Sequence, residues 1–208
     1  MPRPLRSLAA ALVLLAACSP KPPEPPPVAP VEAPPPPPPP KCEALSEQCK
    51  AAADTHAKIT NSDLSFVPAP GWTYAMLSSA TIAQLSPTGP TLAFVGYTSD
   101  PKDAKKDLAA REAAVGELVK QLGLTALKRK IPWKKAPDAT KQLKDFKLGL
   151  WQLDEAGLRD KNKGPLIVVE GTYAPGKAVV GVGFVPDDDK SSADTAILNS
   201  VESITKAQ

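Results

Sequence analysis

Apolar and polar positions alternate in short bursts along most of the chain after residue 60, and the bursts predict a mixed α and β domain. Over 62–67 the two kinds take turns, which puts Leu64 and Phe66 on one face of a strand. Residues 79–85 repeat the pattern as a second strand. Residues 91–97 are apolar on both alternating sides, as a central strand covered on both faces requires. The period then changes. Asp100 and Pro101 suit a helix opening, and Asp103 favours the positive end of its dipole. Leu108, Val115, Leu118, Val119 and Leu122 recur at helical spacing until Gly123 ends the run. Strands are predicted over 127–133, 147–154, 165–173 and 177–185, with Ala174, Pro175 and Gly176 forming a hairpin turn. Ser191 or Ser192 caps a last helix, whose stripe is Ala193, Ile197, Val201 and Ile204. The expected order is β-β-β-α-β-β-β-β-α. This is an α+β domain over 61–206: an antiparallel sheet with helices on both faces, an α/β/α sandwich. A domain of this size buries about 68–70% of its unfolded surface, enough for one core.

Ahead of this domain the pattern is different. Arg3 and Arg6 precede an uncharged apolar run over 8–17. That run is too short for a membrane-spanning helix, which needs roughly 20 residues, and it fits the apolar region of a secretory signal. It closes on Leu15, Ala16, Ala17 and Cys18. These four residues resemble the bacterial lipobox. The resemblance implies that residues 1–17 are a lipoprotein signal peptide. It also implies that the Cys18 thiol carries a diacylglycerol and that the new amine is acylated, so the partner reached through Cys18 is a membrane. The implied location is the cell envelope. Ser19 stands where an acidic residue often marks inner-membrane retention, so the outer membrane facing the periplasm is expected. Without the lipid reading, the segment is an ordinary secretory signal and Cys18 a free thiol.

Composition refines the picture between 18 and 60. Of the 23 residues 19–41, fourteen are proline, with an unbroken run over 34–40. Proline fixes φ and removes the amide donor, so residues 18–41 read as an extended, lipid-anchored linker of about 3.1 Å per residue. A spacer is the plainer reading, and a ligand for a proline-binding module is the other. Residues 42–60 form a short cysteine-containing segment of good helix formers. Cys42 and Cys49 are an even pair in an exported chain, which suggests a disulfide. Seven residues of continuous helix would hold them about 10.5 Å apart along the axis, beyond disulfide reach. Either the helix starts near Glu47 and Cys42 folds back, or the thiols pair between chains or stay free.

Charge and motif content narrow the function. Loss of residues 1–17 removes Arg3 and Arg6 and leaves 23 basic against 22 acidic residues. So small a net charge supplies no global attraction to nucleic acid. No phosphate-binding loop, serine-hydrolase elbow, zinc-protease helix motif or paired CxxC is present, and His56 is the one histidine. No catalytic residue, metal ligand or cofactor is therefore assigned. Asp187, Asp188 and Asp189 lack the spacing of a calcium loop and read as a solvated turn. The one dense basic block comprises Lys128, Arg129, Lys130, Trp133, Lys134 and Lys135 around Ile131 and Pro132. Cations flanking an exposed indole would suit a lipid phosphate or acidic glycan. The competing reading is an edge strand protected by lysines and a proline.

Phe66-Val67-Pro68-Ala69-Pro70-Gly71-Trp72, the long helix after the third strand, and Ile197-Leu198-Asn199-Ser200-Val201 resemble the PsbP-like α/β/α sandwich family. That family includes small exported lipoproteins. The resemblance implies a binding or assembly module rather than an enzyme, with no shared catalytic set to carry over, and an envelope protein or glycan as partner. The alternative is an envelope hydrolase with an unrecognised site. A shallow apolar or basic groove would favour the module, and a deep polar pocket with convergent carboxylates the enzyme.

Overall fold

The computed structural model describes residues 41–125, 130–159, 162–187 and 190–207. They belong to one compact unit, Pro39–Gln208. The fold is α+β, with two antiparallel sheets and two helices. The strands are β1 (Ala57–Lys58), β2 (Leu64–Phe66), β3 (Thr73–Met76), β4 (Thr81–Gln84), β5 (Thr91–Thr98), β6 (Ala139–Gln142), β7 (Lys147–Arg159), β8 (Asn162–Ala174), β9 (Lys177–Phe184) and β10 (Thr205–Lys206). Helix α1 (Ala104–Gln121) lies between β5 and β6, and α2 (Lys190–Glu202) between β9 and β10. The large sheet runs β3-β4-β5-β9-β8-β7-β6, and the small one β1-β2-β10.

Alternation along the central strands divides the core. Leu92 and Phe94 of β5 share one cluster with Val179, Val169 and Leu148, and with Ala193, Ile197, Val201 and Ile204 from α2 and the turn after it. Ala93 and Val95 share the other with Val180, Val182 and Val168, and with Val115, Leu118, Val119 and Leu122 from α1 and its C-terminal cap. Both apolar stripes expected from the sequence are thus buried, although Leu108 is only half-buried.

Helix α1 begins three residues later than Pro101 suggested. Asp103, not Asp100, is the cap, and its carboxylate accepts from the Lys105 and Lys106 amides at 3.1 Å each. Its end is as expected. Gly123 takes φ +64°, its amide donates to the Lys120 carbonyl, and the Leu124 amide reaches back to Val119.

The structure departs from the sequence reading in several places, chiefly where strand pairing decides. No strand is formed over 130–133, where Pro132 removes a ladder donor, and residues 126–129 lie outside the described ones. The strand between α1 and β7 is instead β6, which pairs Ala139 with Leu150 and Gln142 with Lys147. Strands β3 and β10 also form without an alternation signal. Residues 42–60 hold one 3-10 turn, Glu47–Cys49, and no longer helix. This segment is tied to the edge of the large sheet. Lys50 bridges to Thr73, the Ala51 amide donates to the Trp72 carbonyl, and the Met76 amide donates to the Cys42 carbonyl. Hydrogen bonding to β3 outweighs the high helix propensity of the alanines here, since propensity is a weak prior that tertiary context overrides. Freed from a continuous helix, the Cys42 and Cys49 sulfurs lie at disulfide distance with Cα atoms 5.6 Å apart.

Candidate functional site

Two surface depressions and one polar network stand out. The first depression is a groove of 540 Å³ between the loop over 67–72 and helix α2. Val67, Pro68, Ala69, Pro70, Trp72 and Leu85 line one side, and Ala193, Ala196, Asn199 and Ser200 the other. No lining residue is charged. The prolines and the tight turn, in which the Trp72 amide donates to the Ala69 carbonyl, hold the loop clear of the helix. The Ser203 hydroxyl ties the two together, accepting from the Val67 amide at 2.8 Å and donating to the Ser200 carbonyl at 2.7 Å. Leu85 is 48% exposed at the rim. Such a surface suits an apolar, uncharged contact.

The second depression is a polar cleft of 610 Å³ where the turn between β1 and β2 meets the end of β5 and the β8–β9 hairpin. Asn61, Ser62, Asp63, Thr98, Tyr173 and Lys177 line it. Lys177 hydrogen-bonds and ion-pairs with Asp63. That hydrogen bond, and then the attraction of the charges, lowers the Asp63 pKa and raises that of Lys177. Both groups are solvent-exposed, so the pair adds little to stability.

The network joins β5, β8 and α1. The Tyr97 hydroxyl donates to Glu170 Oε1 at 3.0 Å and accepts from Arg111 Nε at 3.2 Å. Arg111 also pairs with Asp107 at 2.8 Å, and Asp107 accepts from the Ser99 hydroxyl at 2.6 Å. Burial, and then the Glu170 charge, push the Tyr97 phenol above its ordinary range, and Arg111 only partly opposes them. Burial works against the Arg111 charge, yet its bond to Tyr97 and the Glu170 and Asp107 carboxylates hold its pKa above the ordinary value. Each of these five side chains is engaged by at least one neighbour, which suits a clamp between helix and sheet better than a reacting centre. The clamp has a signed pH dependence. Above about pH 10 the unfolded chain loses the phenol proton while the native chain keeps it, so stability falls as pH rises. Thermal midpoints of Tyr97→Phe, followed from pH 8 upward, should therefore decline less steeply on the alkaline side than those of the unaltered chain.

The residues singled out by sequence are scattered. Cys18, Lys128 and Arg129 lie outside the described residues. Lys130, Lys134 and Lys135 are exposed. Trp133 is not the exposed indole expected among them. Its ring packs against the α1 cluster, edge-on to Trp151 at 5.0 Å between centroids, with the Arg111 guanidinium 4.9 Å away. Burying the indole face against a cation and a second indole is worth more than leaving it wet. Asp187 is exposed, and Asp188 and Asp189 lie outside the described residues. His56 is exposed beside Lys58 and Lys206. Among the described residues no cluster of three histidine, cysteine or acidic side chains gathers, and no helix is long and apolar enough to cross a membrane.

Sequence reasoning missed both depressions as sites. Pro68 to Gly71 was legible as a turn, and Ser62 and Asp63 read as the start of a strand that in fact begins at Leu64, but neither segment shows what it faces.

No protein-family model and no curated protein matches this chain. A crystal structure of a protein from Bacteroides thetaiotaomicron VPI-5482 is similar over 74% of this chain at 8% identity, with a TM-score of 0.42. The chain spans 50% of that protein's length.

Proposed function

We propose that this chain is an envelope lipoprotein whose folded unit binds a partner and does not catalyse a reaction. In this reading residues 1–17 are removed, Cys18 carries the lipid, and the proline-rich residues 19–41 are the stalk. The folded unit is an α/β/α sandwich of the PsbP-like kind, with α1 and α2 covering opposite faces of the large sheet. Support for that arrangement comes from β5, whose alternate residues Leu92 and Ala93 pack with α2 and α1 respectively.

One observation carries the binding half of the proposal. The groove between 67–72 and α2 is open, apolar and without a charged lining residue. Acid–base chemistry near neutral pH needs titratable groups aimed at a substrate, and this surface offers none. It offers area from which a partner can displace water.

Ala196→Arg tests the reading by filling the groove from the helix side with a long charged chain. Purified full chain with Cys18→Ser, titrated against isolated envelope fragments, should bind them saturably, and adding Ala196→Arg should weaken that binding at least tenfold. The thermal midpoint should stay within a few degrees. Unchanged binding would reject the groove. Turnover abolished by a single Asp or Glu substitution would reject the non-catalytic reading.

A further inference from the structure

The polar cleft is separate from the groove, and it shows three marks of a built site. The first is Asn61, the one non-glycine among the described residues with a left-handed backbone, φ +57°. Asparagine tolerates this region better than most residues, but the conformation still has to be held. What holds it is β5. The Gly96 amide donates to the Thr60 carbonyl at 2.8 Å, and a Cβ on Gly96 would collide with the Asn61 carbonyl oxygen. The turn therefore lies directly on the strand, and Asn61 is fixed at the cleft. The second mark is the β-bulge between Thr172 and Ala174, which re-aims Tyr173 out of the regular ladder. Tyr173 rests on Phe146, 6.0 Å between ring centroids, and lines the cleft. The third mark is unspent hydrogen-bonding capacity. The Asn61 amide and the Thr98 and Tyr173 hydroxyls bond to no described residue, while Asp63 and Lys177 offset each other's charge.

We propose that this cleft binds a short neutral saccharide. A pyranose ring has an apolar C–H face and a rim of hydroxyls, each able to donate and accept. Tyr173 offers an aromatic surface for the first. Asn61, Thr98 and Asp63 offer donors and acceptors for the second. A volume of 610 Å³ lies within the range of small-ligand sites. The lining holds one acid and one base, already paired, so it gives no preference for an anion or a cation.

The probes are N,N′-diacetylchitobiose, cellobiose and maltose, with glutamate and inorganic phosphate as charged comparators. Each is titrated into the full chain carrying Cys18→Ser, read by amide chemical shifts. At least one disaccharide should bind saturably below 10 mM, with the largest shifts at Asn61, Thr98 and Lys177. Asn61→Gly keeps the left-handed turn and removes the amide, so it should weaken that binding about tenfold without lowering the thermal midpoint. Tyr173→Leu keeps apolar bulk and removes the ring, and should weaken binding at least as much. Ala196→Arg, which fills the groove, should leave it unchanged, so the two proposals fail separately. Failure of all three disaccharides, binding indifferent to Asn61→Gly and Tyr173→Leu, or preferential binding of glutamate or phosphate would each overturn the assignment.

Discussion

Phe94→Ala is expected to destabilise the folded unit by about 3–5 kcal/mol. Phe94 is fully buried in the middle of β5. Its ring meets Phe66 edge-on at 4.8 Å, so it joins the small sheet to the large one. On the neighbouring strand it lies over Gly181, where a Cβ would overlap the ring. Removal leaves a void that neither rigid sheet can close, and adds the lost aromatic contact to the lost burial. For a unit of this size each 1 kcal/mol moves the thermal midpoint by roughly 2–4 °C, so a drop of about 6–20 °C should be seen by circular dichroism. Leu118→Ala reports on the other cluster, because Leu118 is fully buried against the opposite set of strand residues. It should cost about 2–5 kcal/mol. Losses below half a kcal/mol at both positions would mean that β5 and α1 are not packed as described.

Cys18→Ser should move the protein from the membrane to the soluble fraction almost completely. The argument is one of area. Each buried CH₂ contributes about 0.8 kcal/mol, so the two or three acyl chains of the proposed anchor would hold far more firmly than one, and the variant would keep none of them. The folded unit is described from Lys41 onward, 23 residues after Cys18, and its thermal midpoint should not change. Flotation of membranes on a density gradient, with the variant and the unaltered chain blotted across the fractions, decides it. A variant that still floats at the unaltered level would show that something other than Cys18 anchors the chain.

Much of the fold could be read locally. The stripe of α1, its Gly123 terminus, the β8–β9 hairpin at Gly176 and the α2 stripe from Ala193 to Ile204 were each visible as a period or a turn residue. In these elements a buried face writes itself into consecutive residues. Strand β6 left no such mark, because its side chains are mainly exposed and its order comes from pairing with β7. Residues 42–60 misled in the opposite direction. Their alanines suggested a helix, but the edge of β3 claims their backbone.

The candidate sites divide in the same way. The proposed lipid site at Cys18 rests on four contiguous residues, since such a signal acts as an unfolded peptide and its information is all local. By itself the sequence determined that lipobox resemblance, the proline-rich composition of residues 19–41, the α+β class and most of the core stripes. Only the tertiary structure turned Trp133 inward onto Arg111 and Trp151. It alone brought Asn61 beside Thr98 and Tyr173, and set Pro68 and Pro70 across a groove from Ala196 and Asn199. Strand pairing makes neighbours of residues that the chain separates by scores of positions, and no periodicity within either segment records which partner it will meet.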